Sequence, residues 1–368
     1  MTPSSLSGCA KRSAQFGQLL VVLAAGFVLF FARAYAASGH DAAIPDAAAE
    51  GTGVQADAAD APLPGSAVAL KPDGPTFTVT DLPTGRPLRI LVYGDMRFTD
   101  PANTTDTAPG VRKWLAAQVG QTHADVMLLT GDMPFHGSNP ADWKVYDEET
   151  ASWRGQPWKI YPTIGNHEVL LNTPEGLQNY FRAYPQIENS CWYSVRMGNI
   201  YLITLDSAMD LSSGQPQRTW LDGQLAHIPD AVDFVFFLFH VPIVADLQTS
   251  FITGIPTPSG LDLREEIEDK ARRSHAKFVV FNGHIHNYER FEINGVTHVI
   301  TGGAGARPYP IFLRGDEDRY QAHTYPNFNY VMITLAGKHA DAKMYRVTNP
   351  YGAEMGLELR DSFTLDAK

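Results

Sequence analysis

The chain has 368 residues, 44% of them hydrophobic and 19% charged, which suits one large globular domain or two ordinary ones. Its 29 basic and 40 acidic side chains leave a formal net charge of −11, with a pI near 5.5. That balance argues against nucleic-acid binding and against adhesion to an anionic membrane; an anionic substrate would need a local cluster of cations.

At the N-terminus, Lys11 and Arg12 precede an apolar run over 19–32 that is short for a bilayer span, and Ala34-Tyr35-Ala36 fits a cleavage site. Residues 1–36 therefore read as a secretory signal. The mature protein is expected to be secreted or periplasmic, with no stable membrane contact once the signal is cleaved. Arg33 is untidy for that reading, and the alternative is an uncleaved anchor over 16–36 that tethers the protein to a membrane. Cleavage leaves Cys191 as the only cysteine, without an internal disulfide, and predicted as buried rather than catalytic. Residues 37–75, rich in Ala, Asp, Gly and Pro, read as a flexible linker, and 76–368 as the catalytic domain.

The first core strand, over 88–93, ends in Gly94-Asp95-Met96-Arg97. A helix over 109–119 carries Val111, Trp114, Leu115 and Val119 on one face. A second strand over 125–130 ends in Gly131-Asp132-Met133-Pro134-Phe135. Either Gly-Asp pair alone is an ordinary turn. Two of them at the ends of adjacent parallel strands set two carboxylates at one sheet edge, which is costly unless a cation is shared. The strand over 158–164 runs into Gly165-Asn166-His167-Glu168. Asn166 offers a neutral oxygen ligand and His167 a group that donates a proton or holds a phosphate oxygen, although Gly-Asn is also a common turn.

Segments over 191–195 and 200–206 flank Met197-Gly198-Asn199, a hairpin signal suited to a second sheet. A helix follows over 217–225. The very apolar strand over 233–239 ends in His240, placed at the ligand edge unless it is a satisfied core histidine. Helical periodicity through Leu261, Leu263, Ile267 and Ala271 covers 260–276. Phe278-Val279-Val280-Phe281 then leads into Gly283-His284-Ile285-His286-Asn287-Tyr288-Glu289-Arg290. A lone His-x-His is weak. Just past the C-terminal end of a buried strand, however, it lies where open α/β sheets bind ligands, and imidazole is the commonest metal ligand. A strand over 296–300 runs into a glycine-rich turn at 301–306 that lacks the Lys-Ser/Thr of a nucleotide loop and reads as a close-packed loop near the site. Strands over 330–335 and 342–347 are predicted as edge strands of the second sheet. The stretches 139–156 and 247–261 read as loops whose Trp143, Trp153 and Phe251 either stack on a substrate or simply pack.

Taken in order, Gly94-Asp95, Gly131-Asp132, Gly165-Asn166-His167-Glu168, His240 and Gly283-His284-Ile285-His286 resemble the motifs of the calcineurin-like metallophosphoesterase superfamily. Residues 283–290 are similar to the version found in purple acid phosphatases. The resemblance implies an α/β fold, a four-layer α/β/β/α sandwich with two mixed sheets and a two-metal site at the strand ends. It implies that Asp132 bridges two divalent or trivalent metal ions (iron, manganese or zinc). Asp95 and His286 would complete the first site, and Asn166, His240 and His284 the second. His167 would stand just outside the metals as a catalytic and substrate-binding residue.

Two positions depart from the family pattern. Arg97 stands where many members have histidine, and Phe135 where purple acid phosphatases have a ligating tyrosine. Neither side chain coordinates a metal, so the first site has three protein ligands. Arg97 either faces the substrate, since guanidinium grips phosphate oxygens in bidentate fashion, or forms a structural ion pair. The expected activity is hydrolysis of small phosphate esters, monoesters favoured over diesters, by a hydroxide that two metals ~3.5–4 Å apart hold and orient. The alternative is a non-catalytic or one-metal relative that acts as a binding module.

Overall fold

The computed structural model describes residues 74–170 and 174–368; the predicted signal segment and nearly all of the predicted linker lie outside the described residues. Its elements run β1 (Thr76–Val79), β2 (Leu88–Tyr93), α1 (Pro109–Val119), β3 (Val126–Leu129), α2 (Pro140–Glu149), α3 (Ala151–Arg154), β4 (Lys159–Pro162) and α4 (Pro174–Ala183). They continue through β5 (Tyr193–Met197), β6 (Ile200–Thr204), α5 (Pro216–Ala226), β7 (Phe234–Leu238), α6 (Leu247–Thr253), α7 (Pro258–Arg273) and β8 (Lys277–Asn282). Last come β9 (Tyr288–Ile293), β10 (Val296–Thr301), β11 (Asn329–Ala336), β12 (His339–Thr348) and β13 (Gly356–Asp366).

Proline opens α1, α2, α5 and α7, at the one helical position where its missing N–H costs nothing. Asn139 caps α2 by accepting from Ala141 N, and Thr257 caps α7 by accepting from Gly260 N. The strands form two mixed sheets. One has the order β1-β5-β6-β7-β8-β10-β9, the other β13-β12-β11-β2-β3-β4. Strands β2, β3 and β4 are parallel to one another, as are β6, β7, β8 and β10.

Alternation along the central strands shows the layering. In β7, Phe234, Phe236 and Leu238 join the core shared with the other sheet, while Val235 and Phe237 pack outward with Leu221 and Leu225 of α5 and Leu263 and Ile267 of α7. The six-stranded sheet is covered on its other side by α1 and α2, through residues such as Val111, Leu115 and Trp143. The result is helix, sheet, sheet, helix, with β3, β6, β7 and β10 buried along their whole length and β2 and β8 at all but one position. That is why those strands read as unbroken apolar runs.

Several expectations need correction. Strands β11 and β12 are not edge strands of the second sheet. β11 pairs with β2, Val331 opposite Val92, and lies inside the six-stranded sheet, where its nearly continuous burial is satisfied. The edge there is β13, whose mostly exposed alternating pattern gives little apolar signal. The stretches 139–156 and 247–261 are largely helical. Trp143 and Trp153 are core residues whose indoles donate to Gly137 O and Ala116 O, so they pack rather than stack on a ligand. Leu261 is exposed, since the buried face of α7 runs through Leu263, Ile267 and Ala271.

Candidate metal centre

The loops after β2, β3, β4, β7 and β8 meet at the C-terminal ends of the parallel strands. Backbone bonds lace them together: Asp95 N donates to Gly131 O, Arg97 N to Asp132 O and Gly283 N to His240 O. This close approach requires glycine. A Cβ at Gly283 would lie 2.2 Å from Asp95 Oδ2, and one at Gly131 (φ +93°) 2.8 Å from His240 Nδ1.

Asp95, Asp132 and His286 are all buried and bring their ligand atoms within 4.8 Å of one another. A second group adjoins them. Asn166 Oδ1 lies 3.1 Å from both His240 Nε2 and His284 Nδ1, those two nitrogens are 3.3 Å apart, and His240 Nε2 is 3.3 Å from Asp132 Oδ1. Asp132 therefore touches both groups. All eight side chains singled out from the sequence come together here, with His167 Nε2 at 3.9 Å and Arg97 Nη2 at 3.2 Å from Asp132 Oδ2.

Four of these residues, Asp95, Arg97, Asp132 and His284, hold φ between 50° and 68°. Left-handed backbone costs a side-chain-bearing residue ~1–3 kcal/mol and persists where the surroundings over-determine it, typically at functional sites. Glu168 is one such determinant. Its buried carboxylate accepts from the amides of Asp132, Met133 and Gly165, clamping two ligand loops together.

The imidazoles are oriented from behind. His240 Nδ1 bonds to Thr130 O, His286 Nδ1 to Arg307 O and His167 Nδ1 to Phe135 O. A carbonyl accepts only from N–H, so each Nε2 faces the cluster. His286 Nε2 is buried with no hydrogen-bond partner among the described residues, 3.6 Å from Asp95 Oδ1. An orphaned lone pair beside carboxylates is the arrangement that a metal ion completes. The residues present thus fit a bound metal ion.

Electrostatics agree. Burial, with Asp132 adding to it, raises the Asp95 carboxyl well above the usual range. Burial opposes charge on Asp132 too, but His240, Arg97 and His167 hold its carboxyl well below the usual range. Burial pushes His284 down to about 3 and holds His286 well below the usual imidazole range, leaving both neutral, as ligands must be. His240 behaves in the opposite way: against the pull of burial, Asp132 and Asp95 push it up to about 9. The cluster thus stabilises one positive charge there, which a bound metal ion would supply in place of a proton.

Two residues at the site carried no sequence signal of their role. Glu168 was visible only as the last letter of its motif. Tyr309 lies in an irregular loop, 23 residues beyond His286, and its ring stacks on His286 with centroids 4.5 Å apart and planes inclined by 14°. A cavity of about 650 Å³ lies apart from the cluster, lined by Trp158, Tyr161, Arg182 and Tyr184, and holds none of the candidate ligands.

Two layered sheets carrying a carboxylate, amide and imidazole cluster at their strand ends define a metallophosphoesterase fold. The chain belongs to the calcineurin-like phosphoesterase family, which it matches over residues 88–288, more than half its length. It is 26% identical over 260 residues to purple acid phosphatase 22 of Arabidopsis thaliana, covering 64% of this chain and 54% of that protein. To the phosphoenolpyruvate phosphatase of Allium cepa it is 27% identical over 211 residues, covering 52% and 40%. The chain spans about half the length of the curated relatives it matches. Its fold resembles purple acid phosphatase PPD1 of yellow lupin seeds (TM-score 0.60, 18% identity, 76% of this chain and 54% of that one). It also resembles PhoD (TM-score 0.57, 11% identity, 77% and 70%). Among the described residues no helix is long and apolar enough to cross a membrane.

Proposed function

We propose that this protein is a metal-dependent phosphoesterase with a binuclear centre, acting on small phosphate esters and favouring monoesters. The observation that carries the reading is the set of imidazoles locked by backbone carbonyls, with the orphaned Nε2 of His286 and the two carboxylates beside it. The names of the relatives, purple acid phosphatases and a phosphoenolpyruvate phosphatase, support the substrate class. In this reading Asp95, Asp132 and His286 hold one metal ion, and Asp132, Asn166, His240 and His284 the other. When bound, such ions lower the pKa of water towards ~7 and offset charge on phosphoryl oxygens. His167 presents Nε2 beside the cluster, and in its protonated form, which burial opposes and Asp132 favours, that nitrogen donates to a phosphoryl oxygen or the leaving group. Arg97 adds a fixed cation at the mouth of the site.

The test is elemental analysis paired with turnover of p-nitrophenyl phosphate and bis-p-nitrophenyl phosphate. Two metals with faster monoester turnover are expected. No turnover after loading with manganese, iron or zinc would sink the reading. A second reading, a one-metal or non-catalytic relative, is favoured by one contact: Arg97 pairs with Asp132, the carboxylate that a first-site metal would need. One retained metal and no turnover would select it.

A further inference from the structure

Residues 307–309 wrap His286 on three sides. Arg307 O accepts from His286 Nδ1 at 2.7 Å, Tyr309 N donates to His286 O at 3.1 Å, and the Tyr309 ring covers the imidazole face. Pro308 and Pro310 flank the tyrosine and restrict its backbone. Tyr309 is half-buried, and its hydroxyl has no hydrogen-bond partner among the described residues. The stack sets the phenol beside His286, and so beside Asp95 and Asp132, with which His286 clusters. A protonated phenol is a donor. Apart from Arg97, the side chains of the cluster offer few donors for an anionic substrate: both carboxylates only accept, and the imidazole nitrogens that would hold a metal have no proton to give once they do so.

We infer that Tyr309 is a further active-site residue, its ring fixing the plane of His286 and its hydroxyl donating a hydrogen bond to a phosphoryl oxygen. This rests on the phosphoesterase reading. The two functions separate by substitution: Tyr309→Phe keeps the stacked ring and removes only the donor, while Tyr309→Leu removes both.

The experiment measures inorganic phosphate binding to metal-loaded protein by calorimetry, alongside metal content after dialysis. Tyr309→Phe is expected to keep its metal and to bind phosphate roughly 10-fold or more weakly, the usual loss for one hydrogen bond to a charged group. Tyr309→Leu is expected to lose metal as well, because His286 is no longer held flat. Unchanged phosphate affinity in Tyr309→Phe overturns the proposal. So does metal loss in that variant with wild-type phosphate affinity once metal is saturating, since the hydroxyl would then act on the metal. Wild-type protein that binds phosphate but hydrolyses no ester would refute the hydrolase reading alone, because this comparison reads binding.

Discussion

Arg97 shows how one residue sets the character of a site. It occupies a left-handed position, φ 50°, and its guanidinium reaches Asp132 Oδ2 at 3.2 Å, while its buried Nε has no hydrogen-bond partner among the described residues. The sequence left open whether it faced substrate or formed an ion pair. The ion pair is observed, and because its partner is Asp132 the two roles are not exclusive: a metal ion neutralising Asp132 would free the guanidinium for an anionic ligand. Arg97→His should therefore tighten the first metal by roughly 10-fold or more, a range typical of changes to ligand support. It frees Asp132 and adds an imidazole. The measurement is metal retained per protein during titration with a chelator; retention equal to wild type would mean Arg97 does not limit that site. Phe135 illustrates the opposite case. Its side chain cannot ligate, but its carbonyl fixes the His167 ring, a role independent of side-chain identity.

At the scale of elements, the segment between His240 and α6 is tied to β9 by buried charge. Asp246 N donates to Glu289 Oε2, Arg314 pairs with Asp318 and lies 3.8 Å from Asp246, and Asp246 Oδ1 accepts from Gly315 N. Burial pushes Glu289 up to about 8, with Asp246 and Asp318 adding to it. A carboxyl raised in the folded state contributes stability that is complete below its ordinary value near 4.5 and is lost as pH rises through about 8. Wild-type protein should thus lose thermal stability from about pH 5 to about pH 9, and Glu289→Gln, uncharged throughout, should flatten that loss. Melting curves across the range test it; parallel slopes for the two proteins would exclude Glu289 as the source. None of this network was legible beforehand. Asp246, Glu289, Arg314 and Asp318 are scattered over 73 residues, and only folding makes them neighbours. By contrast, the ends of β2 and α1 were read to the residue, because apolar runs and a proline at the first helical position mark them locally.

For the whole molecule, the candidate ligands come from five loops on two sheets, so metal binding should couple to global stability. An ion that binds only the folded state, at about 100 times its Kd, adds ~2.7 kcal/mol. For a domain of nearly 300 residues that corresponds to a Tm lower by roughly 4–5 °C after exhaustive chelation. An unchanged melting temperature on chelation, with metal loss verified, would argue that the cluster holds no ion in the native protein. The sequence by itself determined the strand ends, the family resemblance and the eight side chains at those ends, because apolar runs broken by Gly-Asp, Gly-Asn-His and His-x-His are local signals. Tertiary structure decided which sheet the C-terminal strands join, since register and burial on both faces are properties of pairing. It also decided that Glu168 clamps two ligand loops and that Tyr309 stacks on His286. Those contacts join residues from separate loops, and no spacing in the chain encodes them.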